Sequence, residues 1–259
     1  MRTIAPIADM EVETSQMVSM VAETFRQGLG RTNFFVLLAW GRLGIPSIGG
    51  IRQIDPTMDR LIEVSSYGEL LGVQFGLLAV GLLIACFFLG MLGQVVRGQG
   101  IQLTKLAKRL PTYWLYLVVI LFPLGILLFM AFAMTFVLGV LAFLGWILMF
   151  WLLLYLYFFP EAITMSEAKP LEALMSSFAV VRANFLSAAG LIILVNVIGL
   201  GLGLIWQQLM GSTVGTVVAI LLNAYIGTSL TLACFIFYRD RLARWQEFLQ
   251  EQRSRQPHV

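Results

Sequence analysis

Three long stretches of this chain contain no Asp, Glu, Lys, Arg or His: residues 70–96, 111–160 and 183–238. A helix of about 20 apolar residues crosses the roughly 30 Å hydrocarbon core of a bilayer. The first stretch is long enough for one crossing, and each of the other two is long enough for two. The sequence therefore predicts an all-α, polytopic membrane helix bundle.

Composition supports the same class of protein. Hydrophobic residues make up 59% of the chain and charged residues 12%, whereas about a quarter of the residues in soluble domains are charged. The net charge of +3 comes from basic residues placed between the predicted spans, so membrane orientation explains it and nucleic acid is not an expected partner. Cys86 and Cys234 lie inside predicted spans, where we expect small buried side chains rather than a disulfide or metal ligands.

The hydrophobic pattern predicts six membrane segments, at residues 33–51, 69–96, 111–137, 142–160, 184–207 and 216–238. The first is the weakest, because Arg42 interrupts it and Pro46 loosens its second half. The third begins at Pro111, a residue that suits the first position of a helix. This division predicts a cytoplasmic arm at 1–32, a membrane domain at 33–238 and a cytoplasmic amphipathic tail at 239–259.

Lys and Arg residues predict the orientation of these segments. Fourteen of the 17 lie in the N-terminal arm, in the second and fourth connections and after the last segment. The opposite side holds only Arg42, Arg52 and Arg60. By the positive-inside rule, both termini are expected to be cytoplasmic, in a multi-pass protein of the cytoplasmic membrane.

A threefold pattern is consistent with six segments. An amphipathic element precedes the first, third and fifth segments, and each leads to a basic residue and an aromatic entry to the membrane. These elements lie at about residues 17–29, 103–110 and 171–181. The repeat predicts three units, each an interfacial helix followed by a two-segment hairpin.

The C-terminal third resembles a known bacterial pattern. A proline-capped amphipathic helix leads through an Asn-Phe entry into the last hairpin, and a Tyr-Arg-Asp end closes it. The matching positions are Pro170, Ala173, Ser177, Asn184, Phe185, Tyr238, Arg239 and Asp240. This resembles membrane-protein families of unknown function related to the membrane domain of glycerophosphoryl diester phosphodiesterases. Only residues 239–259 follow the sixth segment, so no catalytic barrel is expected and the hydrolase activity does not carry over.

The basic connections contain the candidate lipid-contacting residues. Together with the apolar-faced helices beside them, they are expected to form a basic and aromatic collar at the level of the lipid headgroups, where each basic residue near an anionic leaflet contributes about 1 kcal/mol. An equally favoured interpretation is that these helices only brace the bundle. The candidates are Arg97, Lys105, Lys108, Arg109, Arg182, Arg239, Arg241 and Arg244.

Polar residues inside the segments are the candidates for a transport path. Arg42 either faces the bundle interior or extends toward an interface along its aliphatic stem. Asn196 and Asn223 lie near the middles of the last two segments and are expected to bond across that hairpin. Glu69 and Glu161 lie at segment ends, where a carboxylate can reach water.

Close helix packing explains the GxxxG pairs Gly72 with Gly76 and Gly199 with Gly203 better than ligand binding does. No nucleophile and base can be assembled, and no cofactor or metal site is expected. The favoured function is a non-enzymatic scaffold or accessory subunit that contacts anionic lipid or a partner membrane protein. A small permease or channel with a path between the hairpins is the alternative, and a lipid-directed enzyme ranks last.

Overall fold

A computed structural model describes residues 66–166 and 168–255, together with Leu38, Leu43 and Pro46. Every regular element in these residues is helical. There are seven α-helices: α1 (Tyr67–Val96), α2 (Leu103–Leu138), α3 (Ala142–Tyr155), α4 (Phe159–Ser166), α5 (Pro170–Ala183), α6 (Phe185–Leu209) and α7 (Thr213–Arg255). A short 3-10 turn, Gly139–Leu141, joins α2 to α3.

Four apolar helical stretches in the described residues are long enough to cross a membrane: Gly68–Val96, Leu103–Ser166, Phe185–Leu209 and Thr213–Glu247. This confirms the all-helical class and gives the described residues four stretches of membrane-spanning length. The second stretch has 64 residues and would extend about 96 Å as one straight helix. It instead folds back at Gly139–Leu141, inside the turn region predicted at residues 137–145, so that α3 packs along α2.

The second amphipathic element is continuous with the span that follows it. Helix α2 runs through Pro111 for 36 residues, so the prediction that Pro111 begins the helix is wrong. A proline inside a helix removes one backbone hydrogen bond, but buried side chains on both sides of it hold this helix to α1. Leu106 and Tyr113 both pack at Gly90, and the Trp114 indole N–H donates to the Ala79 carbonyl at 3.1 Å.

The third amphipathic element is the separate helix α5, as predicted. Lys169 precedes it and Pro170 occupies its first turn, where the missing proline N–H removes no helical hydrogen bond. Its buried residues are Ala173, Ser177, Val180 and Val181. The first amphipathic element and the first membrane segment lie outside the described residues except for isolated positions, of which Pro46 packs so closely on Gly227 of α7 that a Cβ there would clash.

The core is concentrated at one end of the bundle. The residues with the least exposure there include Leu106, Phe158, Ile163, Val181 and Tyr238, contributed by α2, the turn before α4, and helices α4, α5 and α7. Cys86 and Cys234 are buried in this core as free cysteines, which confirms the prediction that both side chains are buried. Helices α4 and α5 close this end, since both contact α2 and α7.

Candidate functional site

Most of the predicted basic candidates lie on elements that meet at one end of the bundle, here called the basic end. It comprises the end of α1, the start of α2, helices α4 and α5 and the part of α7 around Tyr238. The turns Gly139–Leu141 and Met210–Ser212 lie at the far ends of the helices that leave it. The sequence predicted this segregation of charge, and the helix contacts place these segments together.

Two of the predicted lipid-contacting arginines bind the backbone of neighbouring helices. Arg97 Nη1 donates to the carbonyl oxygens of Thr164 at 3.0 Å and Met165 at 2.9 Å, at the C-terminal end of α4. Arg239 Nη1 donates to the Val96 carbonyl at 3.1 Å, at the C-terminal end of α1. The last carbonyls of a helix carry partial negative charge, so both guanidinium groups stabilise helix ends.

Arg239 also pairs with Asp240 at 3.0 Å, and its side chain is about half exposed. Arg241 lies over the Phe237 ring, 5.3 Å from its centroid, a cation–π geometry. The remaining basic candidates in the described residues have exposed side chains: Lys105, Lys108, Arg109, Arg182 and Arg244. They are the members of the predicted set that are best placed to reach lipid headgroups.

The connection from α1 to α2 is shaped by a glutamine. The Gln94 side chain is buried; its Oε1 accepts from the Gln102 N–H at 2.8 Å, and its Nε2 donates to the Gln102 carbonyl at 3.4 Å. Gly98 and Gly100 have φ values of 70° and 66°, a conformation that favours glycine. This arrangement starts α2 close to the end of α1, which sets the position of Lys105 and Lys108.

A buried serine holds the break between α3 and α4. Ser177 Oγ donates to the Tyr155 carbonyl at 2.9 Å and accepts from the Phe158 N–H at 3.2 Å. A helix break exposes backbone groups that need partners when they are buried. Ser177 provides both, and this role was missed from the sequence. Ser176, on the same helix, hydrogen-bonds Tyr238 Oη at 2.9 Å.

Glu161 is buried, with only 2% of its surface exposed, so the prediction that it reaches water is wrong. The reason is the position of α4, which contacts α1, α2, α5 and α7 instead of extending beyond the bundle. Within the described residues, no group of three or more His, Cys, Asp or Glu is arranged to hold a metal ion.

The intramembrane polar candidates do not form one group. Asn196 is exposed and donates to the Ile192 carbonyl of its own helix at 2.7 Å. Asn223 does bond across the last hairpin, but its partner is the buried indole of Trp206, at 3.0 Å. The expected bond across the hairpin is therefore confirmed for Asn223 but not for Asn196. A buried Trp N–H usually has an acceptor, a signal that could have identified Trp206 as the partner. Arg42 lies outside the described residues.

The close-packing glycines are not the predicted ones. Among the described residues, a Cβ placed on Gly72, Gly76, Gly199 or Gly203 would contact nothing within 4 Å. Close approach occurs instead at Gly90, against Leu106, and at Gly93, where a Cβ would lie 3.1 Å from the Thr164 carbonyl oxygen. These glycines face other helices at the basic end.

The described residues thus define an all-helical protein with four helices of membrane-spanning length and a polar, basic end. Comparison with protein-family models, with curated proteins and with solved structures finds no match. The resemblance to the membrane domain of glycerophosphoryl diester phosphodiesterases stays a prediction. Three of its positions, Ala173, Ser177 and Tyr238, are fully buried at the basic end.

Proposed function

We propose that this chain is a non-enzymatic protein of the cytoplasmic membrane, a scaffold or accessory subunit whose basic end contacts anionic lipid. The observation that carries the proposal is the exposed group Lys105, Lys108 and Arg109 on the first two turns of α2. These side chains are separate from Arg97 and Arg239, which bind the ends of helices. Near an anionic leaflet, three such charges contribute about 3 kcal/mol.

The proposed topology has six membrane segments in three hairpins, with both termini in the cytoplasm. Its support is the reversal of the chain at Gly139–Leu141 and at Met210–Ser212, which returns every described basic connection to the same end. The first hairpin consists of the segment at residues 33–51, outside the described residues, and α1. Pro46, a described residue of that stretch, contacts Gly227 of α7, which supports the proposed arrangement.

Of the candidate residues for a permease, Asn196 and Asn223 lie in the described part of the chain, and their geometry gives that alternative no support. Asn196 bonds to its own helix, and Asn223 bonds to Trp206 of the neighbouring helix. Both side chains therefore bond to the helices around them. A solute path needs polar groups that face a common space. We therefore propose contact with lipid, not transport, as the role of this chain.

The proposal is tested by replacing Lys105, Lys108 and Arg109 together with Gln. The purified variant is expected to retain less phosphatidylglycerol per protein after detergent extraction and gel filtration, measured by mass spectrometry of the bound lipid. Retention of phosphatidylethanolamine is expected to stay unchanged, because that headgroup has no net charge.

A matched control variant carries Gln207→Ala and Gln208→Ala, two exposed polar residues near the opposite end of α6. It alters polar side chains without changing charge and is expected to retain phosphatidylglycerol at the parent level. If the Lys and Arg replacements also leave phosphatidylglycerol retention unchanged, the exposed basic residues do not bind anionic lipid and the proposed function is wrong.

A further inference from the structure

The turn between α2 and α3 has an unusually apolar surface. The tip of the second hairpin is defined here as residues 136–144, and it contains only Phe, Val, Leu, Gly and Ala. Except for the buried Ala142, its side chains face outward: Phe136 is 78% exposed and Val140 91% exposed. A turn placed in water would normally carry polar residues, so this tip is matched to an apolar solvent.

The polar groups around the tip are satisfied internally. The Gly139 N–H donates to the Thr135 carbonyl, and the Ala142 N–H donates to the Gly139 and Val140 carbonyls. Thr135 Oγ1 donates to the Ala131 carbonyl at 3.1 Å and accepts from the Trp146 indole at 3.0 Å. Backbone groups in hydrocarbon need partners within the protein, and this 3-10 turn provides them for the N–H groups of Gly139 and Ala142.

The last hairpin provides the contrast. Helix α6 has 25 residues, about 38 Å, which is enough to cross the core. Its turn carries the exposed polar residues Gln207, Gln208 and Ser212. Ser212 Oγ accepts from the Gly215 N–H at 3.0 Å. This turn has the chemistry of one that reaches water, and the second hairpin does not.

We propose that the tip of the second hairpin does not emerge from the membrane but ends in the hydrocarbon of the far leaflet, where its side chains contact lipid acyl chains. The proposal rests on the membrane-spanning arrangement proposed above, but not on its orientation. Both helices of the second hairpin thus connect to the basic end, and the hairpin enters the bilayer without crossing it. The last hairpin crosses the bilayer completely.

The experiment compares two single-cysteine additions, Val140→Cys in the tip and Ser212→Cys in the last turn. The parent chain sets the background, because its own cysteines, Cys86 and Cys234, are buried. A membrane-impermeant maleimide is applied to native membranes from each side. We expect Ser212→Cys to react from one side, and Val140→Cys to stay at the parent background from both sides until the membrane is dissolved in sodium dodecyl sulfate.

A second measurement identifies what covers the tip. Val140→Cys, placed in a chain that also carries Cys86→Ala and Cys234→Ala, is labelled with a nitroxide in unfolding conditions, refolded and placed in vesicles of equal parts phosphatidylethanolamine and phosphatidylglycerol. Acyl chains admit oxygen and exclude polar nickel chelates, so we expect faster relaxation with oxygen. Stronger relaxation by the nickel chelate would put the tip in water and overturn the proposal. Shielding from both reagents would put protein over the tip and also overturn it.

Reaction of Val140→Cys with maleimide as fast as Ser212→Cys would overturn the proposal as well. So would failure of Ser212→Cys to react from either side, because the two hairpins would then not differ. Reaction of Ser212→Cys from the cytoplasmic side instead contradicts only the orientation under the proposed function. The side of that reaction therefore separates a failure of the topology from a failure of the tip proposal.

Discussion

The two ends of this bundle are packed in opposite ways. At the basic end Phe158 and Tyr238 are fully buried, and polar groups such as Ser177 are enclosed with their partners. At the apolar end Phe136 and Val140 are almost fully exposed within the chain. The membrane-length helices bury between 6% and 39% of their most apolar windows, so most of their surface faces outward.

This difference is what we expect if the apolar end lies in hydrocarbon and the basic end at the lipid headgroups, as proposed above. In hydrocarbon an exposed Leu or Phe needs no protein partner, because lipid tails are as apolar as the side chain. A broken helix does need partners for its free N–H and C=O groups. The chain breaks repeatedly between Val96 and Leu103 and between Tyr155 and Phe185, so the basic end is where specific packing is required.

The difference in packing between the two ends is tested by making the same substitution, Phe to Ala, at each end. Phe158→Ala removes a fully buried ring that stacks on Phe237 at 5.4 Å and on Tyr238 at 6.5 Å. We expect a loss of about 3 kcal/mol or more in the free energy of unfolding, because a cavity remains among rigid helices. Denaturant unfolding in detergent micelles measures it.

Phe136→Ala is the matched control at the apolar end. Its ring contacts Phe132 at 5.2 Å but is otherwise exposed, so we expect a change within about 0.5 kcal/mol, as for surface substitutions. Equal losses at the two positions would show that both ends are packed alike, contrary to the comparison.

A smaller change in the free energy of unfolding is expected when the two asparagines of the last hairpin are compared. Asn223→Leu leaves the buried Trp206 indole without its acceptor, and we expect a loss of about 0.6–1.7 kcal/mol, the range found for hydrogen bonds between membrane helices. Asn196→Leu removes only a bond to its own helix and is expected to leave the unfolding free energy unchanged within error.

If Asn196→Leu is the more damaging of the two, the assignment of Asn223 as the residue that joins the helices is wrong. The comparison requires the same measurement on both variants in the same detergent, since lipid or detergent sets the reference for an exposed polar group. A Trp206→Phe variant combined with Asn223→Leu should show non-additivity, because the two side chains share one hydrogen bond.

Local chemistry predicted much of the fold. Stretches without charge marked α1, the hairpin of α2 and α3, and the pair α6 and α7, and the reversal at Gly139–Leu141 fell inside the predicted turn. These features depend only on residues close together in the sequence and on the bilayer. The continuity of α2 through Pro111 was not predicted, because it depends on contacts that Leu106 and Tyr113 make with another helix, α1.

The roles of individual polar residues were harder to predict for the same reason. Arg97 donates to a helix end 67 residues further along the chain, and Ser177 bonds to the backbone at a helix break about 20 residues earlier. A basic residue before a span suggests a lipid headgroup equally well. Arg97 binds protein because the end of α4 lies beside it at the basic end, whereas Lys105 and Lys108 stay exposed. This packing cannot be predicted from the residues next to Arg97 in the sequence.

The orientation of the basic end tests the central claim most directly. Green fluorescent protein fused after Val259 and alkaline phosphatase fused at Ser212 report the two sides of the membrane. The account predicts a fluorescent C-terminal fusion and an active phosphatase, because the positive-inside rule places the basic connections in the cytoplasm. An inactive phosphatase at Ser212 together with an active phosphatase fused after Val259 would contradict it.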